Sequence, residues 1–331
     1  MAAGRPGIAV IIVNYGTAVL TVDAVESVLA ADHGGRDVEV HVVDNASPGG
    51  DAEALHAAWT GRGWEGRVCL HLEAVNHGFG RGNNLVLEQL AQRQQPPDKC
   101  FLLNPDARLL NGAIAILADF LDTHPQVGAA GAATAAPGIG PSTSAFRFPS
   151  PVSEFSDALA FGPVARLTSH RTVPIPPGLA TQRVDWVTGA AVMLRKLALE
   201  ESGTFDPDFF LYFEEVELMF RLGRAGWEVW HVAEAQVVHH EGAATGVRSA
   251  DKLKPPRPDY WYDSFRFYHT KTAGRGGAFL VASLRLVGWT LNIPLTRLRG
   301  KPRAAPARYV GGMWRRVLRP LLGLQPTKAR Q

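Results

Sequence analysis

The chain has 331 residues, 46% hydrophobic and 20% charged, with a formal net charge of +3. Such a chain is long enough for one large domain or two modest ones and has an ordinary globular composition. Its two cysteines, Cys69 and Cys100, follow no metal spacing, which argues against a disulfide scaffold and for a reducing compartment.

The N-terminal MAAGRPGIAV runs straight into a strand-like segment and lacks the apolar h-region of a signal peptide. From there the pattern alternates. IAVIIVNY (Ile8–Tyr15) is a β-branched apolar run of the kind buried in parallel sheets. TAVLTVDAVESVLAA follows with helical spacing. VEVHVVD (Val38–Asp44) predicts a second strand and DAEALHAAW a second helix. VCLHL (Val68–Leu72) and NNLVLEQLAQR form a third pair. CFLLN (Cys100–Asn104) and GAIAILADFLDTHP form a fourth. This β-α rhythm predicts an α/β fold, a mainly parallel central sheet flanked by helices. Right-handed crossovers then bring the polar residues that end the strands (Asn14, Asp44, Asn45, Asn104 and Asp106) to one edge, where open α/β sheets bind ligands.

From Thr134 to Pro177 the pattern breaks into Pro, Gly, Ser and Thr, which predicts a long loop region. VDWVTGAAVML (Val184–Leu194) restores a strand. Phe205–Trp227 packs five carboxylates (Asp206, Asp208, Glu214, Glu215 and Glu217) among aromatic residues and leads into a helix ended by Gly226. Burying a bare carboxylate is costly, so such a group needs a partner such as a metal or an acceptor hydroxyl. EVWHVAEAQVVHH (Glu228–His240) reads as one or two strands.

The C-terminal region is unusual in charge. From Ser264 to Gln331 there are 14 Lys/Arg and no Asp/Glu, leaving 20 bases against 31 acids in residues 1–263. No run of 18 uninterrupted apolar residues occurs, so no ordinary transmembrane helix is expected. Arg mixed with Trp, Leu and Val suits an amphipathic helix on an anionic membrane face. A packed helix with a solvated basic side fits as well. No nucleic-acid motif accompanies the charge. The expected division is a domain over 1–263 and a basic, partly amphipathic helical region over 264–331.

Four motifs carry candidate chemistry. Asp44-Asn45 closes a strand, where a carboxylate or amide reaches a base or ribose, or simply makes a turn. Asn76-His-Gly-Phe-Gly-Arg-Gly-Asn-Asn84 lies between a strand and a helix, and its glycines would allow close approach of an anion at a helix N-terminus. Asn83 replaces the third glycine of the dinucleotide fingerprint. Asn104-Pro105-Asp106 ends a strand, and Asp106 could hold Mg²⁺ or Mn²⁺ together with diphosphate oxygens and water. His239-His240 follows another strand, and imidazole suits Mn²⁺-type ions as an additional ligand.

Taken in order, IIVNY, VVDNAS, NHGFGRGNN, LLNPD, VDWVTGAAVMLRK, GTFDPDFFLYFEEVEL, GW and VVHHEGAATG resemble the inverting glycosyltransferases of family 2, with the GT-A fold, over roughly Ile8 to Lys271. Within that family the chain is most similar to the rhamnosyltransferase-like branch, whose members often carry NPD where others have DxD. The resemblance implies nucleotide-sugar contacts by Asn14, Tyr15, Asp44, Asn45, Asn76, Gly78, Gly80, Asn84 and Asn104. It implies donor or acceptor contacts by Trp186, Gly189, Ala190 and Glu214, and catalysis by Glu215. Asp106 and His239 would hold Mg²⁺ or Mn²⁺, with His240 as the alternative to His239.

Three positions depart from the pattern: Asn104 stands for an acid, Glu215 for the commoner Asp, and Ala244 for a frequent Ser. The implied function is metal-dependent, inverting transfer of a sugar, L-rhamnose from dTDP-rhamnose, onto a glycan or lipid-linked acceptor in cell-surface polysaccharide synthesis. Rival readings are a UDP-sugar donor such as UDP-galactofuranose and a silent nucleotide-sugar-binding protein. The expected place is the cytoplasm, on the inner membrane face, without nucleic acid.

Overall fold

Ile8–Asn14 (β1) is buried at every position, as a central strand covered on both faces must be. It pairs in parallel with Val38–Asp44 (β2), which pairs in parallel with Val68–Leu72 (β3). On its other side β1 pairs in parallel with Lys99–Leu103 (β4). The crossovers are Ala18–Leu29 (α1), Asp51–Gly61 (α2) and Gly78–Ala91 (α3). The structure is a computed structural model and describes residues 7–240, 256–300, 306 and 308–324.

Ala107–Leu109 (β5) and Ala113–Thr123 (α4) follow, then Val127–Ala136 (β6), the two-residue strands Gly140–Pro141 (β7) and Ala145–Phe146 (β8), and the helices Pro151–Leu159 (α5) and Gly162–Leu167 (α6). Gln182–Val184 (β9), Trp186–Val187 (β10), Ala191–Arg195 (β11), Lys196–Ser202 (α7), Glu214–Arg224 (α8) and Glu228–His239 (β12) complete the sheet-bearing part. The main sheet runs β3-β2-β1-β4-β11-β6-β12-β5. Six of these eight strands share one direction; β11 and β5 oppose them. The expected mainly parallel α/β architecture is therefore present.

Alternation along β1 serves two cores. Ile8, Val10 and Ile12 pack with Val40, Val42, Leu117 and Leu121. Ala9, Ile11 and Val13 pack with Val86, Leu90, Leu218 and Met219.

Two sequence expectations are corrected. The span Thr134–Pro177 is not one loop, because it holds the end of β6, β7, β8, α5 and α6. Helix α5 has a readable start: Pro151 follows Ser150, whose Oγ accepts from the Ser153 N–H at 3.2 Å while Ser153 Oγ accepts from the Ser150 N–H at 2.8 Å. That reciprocal cap satisfies two orphan donors. Val184–Leu194 is three short strands, with β9 on β12, β10 on β8, and β11 between β4 and β6.

By internal packing the chain divides into two units. One comprises Met1–Phe146, Pro174–Pro207 and Leu218–Arg248; the other comprises Arg147–Val173, Asp208–Glu217 and Ser249–Gln331. The sequence boundary at 263/264 falls inside Asp259–Leu298 (α9), a 40-residue helical stretch broken at Gly274 (φ 70°, ψ 173°).

With a mean hydropathy of 1.4 over its most apolar window, α9 is long and apolar enough to cross a membrane by length and composition alone. One side of it packs on α5. Gly288 lies so close that an added Cβ would stand 2.7 Å from the Phe155 carbonyl oxygen. Arg285 reaches Glu154 and Asp157 of α5, and Asn292 Nδ2 donates to the Leu159 carbonyl at 2.8 Å. Tyr309–Gly312 (α10) opens a further helical stretch, and its Tyr309 hydroxyl accepts from Arg285 Nε at 2.6 Å.

Candidate functional site

The parallel register of β1 and β2 sets Asn14 beside Asp44. Asn14 is fully buried and saturated. Its Nδ2 lies 2.8 Å from Asp44 Oδ1, 3.0 Å from Ser47 Oγ and 3.1 Å from Asp51 Oδ2. Its Oδ1 accepts from the Thr17 N–H and from the Thr17 and Thr21 hydroxyls. Asn14 therefore organises the edge from within. Asp44 Oδ2 also accepts from the Ser47 N–H at 3.2 Å, so this buried carboxylate is held in one orientation. Tyr15 is 43% exposed.

Asp51 was legible only as a helix opener. Its Oδ2 accepts from the Ala18 N–H at 2.9 Å, tying the start of α2 to the start of α1.

Asn45 joins this edge to the glycine-rich segment. Its Nδ2 donates to Asn76 Oδ1 (3.1 Å) and the Gly78 carbonyl (3.0 Å), and its Oδ1 accepts from the His77 N–H (2.9 Å). The segment itself differs from the loop expected. Helix α3 begins at Gly78, so Gly80, Asn83 and Asn84 lie on its first turns and are buried. The glycines admit protein neighbours. A Cβ on Gly80 would lie 3.0 Å from Phe205 Cβ, and one on Gly82 would lie 3.0 Å from Val13 Cγ1. Asn84 exchanges two hydrogen bonds with the Phe205 backbone at 2.7 and 3.0 Å. The buried Asn84 side chain and the close approach of Phe205 to the Gly80 backbone thus pack the helix against its own unit.

At the end of β4 the sequence Asn104-Pro105-Asp106 turns tightly into β5. Asp106 is 5% exposed. Its Oδ1 lies 3.1 Å from His239 Nε2, and Asn104 Nδ2 lies 3.3 Å from the same nitrogen. The neighbouring His240 contributes its backbone N–H to the Asp106 carbonyl at 2.9 Å. Two atoms in adjacent octahedral positions around a small divalent cation, each at about 2.1 Å, stand about 3 Å apart. The carboxylate–imidazole pair fits that spacing. Among the described residues no group of three or more His, Cys, Asp or Glu gathers to hold a metal.

Gly189-Ala190 lies beside this turn, since the Ala190 carbonyl accepts from the Asn104 N–H at 2.9 Å. Trp186, in β10, instead stacks on Phe146 at 4.0 Å with an 11° interplanar angle. Ala244 lies outside the described residues.

From Asp208 to Glu217 the carboxylate segment belongs to the other unit. Tyr212 and Phe213 both adopt left-handed backbone, φ 70° and 69°, which is costly for bulky side chains and persists only when packing imposes it. The packing is aromatic. Phe213 meets Trp261, Phe265, Tyr268 and His269, with ring centroids 5.3 to 6.3 Å apart, and Tyr212 stacks on Tyr260. The Ser264 hydroxyl donates to the Leu211 carbonyl at 2.9 Å.

Helix α8 then starts at Glu214, with Glu214, Glu215 and Glu217 in its first turn, where the helix dipole favours negative charge. Oε2 of Glu214 and Oε2 of Glu215 are buried without a hydrogen-bond partner. Burial, and next the neighbouring Glu215, pushes the Glu214 carboxyl well above its ordinary range. Burial also pushes Glu215 up. The left-handed pair was invisible in sequence because no Gly or Asn marks it.

A separate cavity of about 300 Å³ lies among Thr134, Ser142, Ser144, Ile175 and His231 and contains none of the candidate site residues.

Residues 6–254 match the family described as Glycosyltransferase like family 2. The chain is 30% identical, over 228 residues, to the N-acetylglucosaminyl-diphospho-decaprenol L-rhamnosyltransferase of Mycobacterium tuberculosis, covering 66% of this chain and 71% of that protein. Among solved structures it resembles a mannosyltransferase from Pyrobaculum calidifontis in complex with GDP-Man and Mn²⁺ (TM-score 0.53, 16% identity, 96% of this chain and 85% of that one). It also resembles GalNAc-T7 with UDP, GalNAc and Mn²⁺ (TM-score 0.55, 12% identity, 91% and 59%). At those identities the structural likeness concerns the fold. With its mostly parallel sheet and its match over residues 6–254, the chain belongs to glycosyltransferase family 2, has the GT-A fold and is a glycosyltransferase.

Proposed function

We propose that this protein is an inverting, divalent-cation-dependent glycosyltransferase that moves L-rhamnose from dTDP-rhamnose onto a glycan or lipid-linked acceptor in cell-surface polysaccharide synthesis. The observation that carries the chemistry is the 3.1 Å approach of Asp106 Oδ1 to His239 Nε2. The sugar and the lipid-linked acceptor are supported by the name of the mycobacterial relative. Asp106 and His239 would hold Mg²⁺ or Mn²⁺, which when bound offsets the charge developing on the leaving diphosphate.

Each remaining role falls to the chain. Asp44, fixed by Asn14 and the Ser47 N–H, accepts from the nucleoside. Asn45 and Asn76 hold the turn before α3, and Asn104 steadies His239. Gly189 and Ala190 border the sugar. Glu215 is the general base. Its buried Oε2 without a partner accepts the proton of the acceptor hydroxyl as that oxygen bonds to the anomeric carbon. The bond from that carbon to the diphosphate oxygen breaks, and the nucleoside diphosphate leaves with the electron pair. One displacement inverts the centre without a covalent enzyme intermediate. Glu214, whose carboxyl burial keeps protonated more readily, donates a hydrogen bond to substrate.

An anionic membrane surface is the proposed partner of the C-terminal region, which holds 14 bases and no acid in residues 264–331. It would keep the enzyme near a lipid-linked acceptor on the cytoplasmic face. The test is a donor panel, dTDP-rhamnose and UDP-sugars, assayed with Mn²⁺, Mg²⁺ or EDTA. Cation-dependent release of dTDP alone supports the proposal. Release of UDP from UDP-galactofuranose would replace the donor, and nucleotide binding without turnover would replace the enzyme by a binding protein.

A further inference from the structure

We propose that the outward side of α9 beyond Gly274 lies flat in the headgroup region of an anionic membrane. This rests on the membrane partner proposed above and names the surface that meets it. Phe279, Leu280, Val287, Leu291 and Leu298 are exposed by 39% to 84%. Val287, Leu291 and Leu298 follow Leu280 by about two, three and five helical turns, so they share one side over about 27 Å. Between Gly276 and Leu298 the only charged residues are Arg285 and Arg297. Arg285 is turned away, onto Glu154 and Asp157 of α5. An exposed apolar stripe of this length marks an interaction surface.

Charge selects the occupant. Arg275, Arg297 and Arg299 are exposed around the ends of the stripe, and residues 264–331 contain no acid. Two copies of this face would oppose like charges, whereas anionic headgroups complement them. Packing selects the depth. The buried side of α9 is bonded through Arg285 and Asn292 to α5, and α5 carries Asp157, whose side chain is 72% exposed. A spanning α9 would take that carboxylate into hydrocarbon, where ionised groups are costly. An in-plane helix buries only the stripe and leaves α5 in water. Trp314, Leu322 and Leu324, each about half exposed, supply further interfacial side chains.

The test is co-sedimentation of the full chain with phosphatidylglycerol/phosphatidylethanolamine vesicles, and with phosphatidylcholine vesicles, across a salt series. The wild type is expected to bind the anionic vesicles, to release as salt rises, and to ignore phosphatidylcholine. Leu280→Glu/Leu291→Glu, and the uncharged Leu280→Ser/Leu291→Ser, should each lose at least about tenfold in vesicle affinity while keeping the melting temperature and solution donor turnover. Arg297→Gln/Arg299→Gln should lose a few-fold and flatten the salt dependence. Unchanged affinity in the folded leucine variants overturns the assignment of this face. A wild type that ignores anionic vesicles overturns the membrane partner as well. A dimer that the leucine variants dissociate assigns the face to a second copy and also overturns it. Vesicle binding with no donor turnover leaves this surface standing and removes the proposed reaction.

Discussion

Asp106 and His239 meet because the antiparallel register of β5 and β12 sets His239 opposite Ala107, which brings the imidazole Nε2 to 3.1 Å from the carboxylate of the preceding residue. A second tie, the His240 N–H to the Asp106 carbonyl, locks the same register. The pair is therefore built by sheet pairing between segments far apart in the chain.

Replacing either member should abolish cation-dependent turnover with little loss of stability. Asp106→Ala and His239→Ala are each expected to lower donor hydrolysis by about 10²-fold or more, the scale on which single electrostatic groups act at a developing charge. His239→Ala should also raise the Mn²⁺ concentration at half-maximal rate. Full activity in EDTA, or an unchanged Mn²⁺ response in His239→Ala, would remove the pair from the mechanism.

Glu215→Gln keeps the shape of the side chain and loses the base. Turnover should fall by about 10²- to 10⁴-fold, the usual contribution of a general base, with dTDP binding by calorimetry intact. Burial raises this carboxyl, so the acidic limb of the wild-type rate profile should lie above the ordinary carboxylate range. Near-normal turnover in Glu215→Gln would move the base elsewhere.

Glu214 makes a separate statement about stability. Its folded-state carboxyl is pushed well above the ordinary value by burial and by Glu215, so the native chain binds this proton more tightly than the unfolded chain. That contribution is complete below the ordinary carboxyl range and is lost as pH rises through the raised native value. The wild-type melting temperature should therefore decline on the alkaline side of that range. Glu214→Gln should flatten the decline and melt higher at mildly alkaline pH. Parallel curves for the two proteins would contradict the raised carboxyl.

The ion pair between Arg285 and Glu154 is nearly enclosed, with side-chain exposures of 10% and 9%. Removing Glu154 leaves Arg285 only the Tyr309 hydroxyl and the largely exposed Asp157, so Glu154→Leu should destabilise by about 3 kcal/mol, the low end for a broken buried pair, in thermal or urea unfolding. Arg285→Met combined with Glu154→Leu should recover much of that loss. Equal melting of wild type and Glu154→Leu would show that the charges do not hold α5 to α9.

Gly131, midway along β6, faces Val187, where an added Cβ would stand 2.6 to 2.8 Å from three side-chain carbons. Gly131→Ala should cost about 1–3 kcal/mol through overpacking. In a Val187→Gly background, which lacks all three of those carbons, Gly131→Ala should cost less than it does in the wild type, measured by the same unfolding curves.

The strand–helix order through α4, and the gathering of strand-ending polar residues at one edge, were determined by the sequence alone. Apolar β-branched runs such as Ile8–Val13 have no soluble alternative to a sheet buried on both faces, and strand direction carries Asn14, Asp44 and Asn104 to the same ends. The order of eight family motifs identified the glycosyltransferase. The Pro, Gly, Ser and Thr content of Thr134–Pro177 masks α5, although Ser150-Pro151 supplies the cap and N1 proline that start it. In Asn76–Asn84 glycine's conformational freedom serves Gly78 (φ 77°), whereas Gly80 and Gly82 are spent on contacts with Phe205 and Val13, which lie far away in sequence.

Tertiary structure alone decided three things. Pairing of β5 with β12 gave Asp106 its imidazole. The aromatic residues of α9 held Tyr212 and Phe213 in left-handed backbone ahead of Glu214. Packing on α5 determined which side of α9 is buried and which stays exposed. Each depends on contacts between distant segments, and local propensity carries no information about which distant surface a residue will meet.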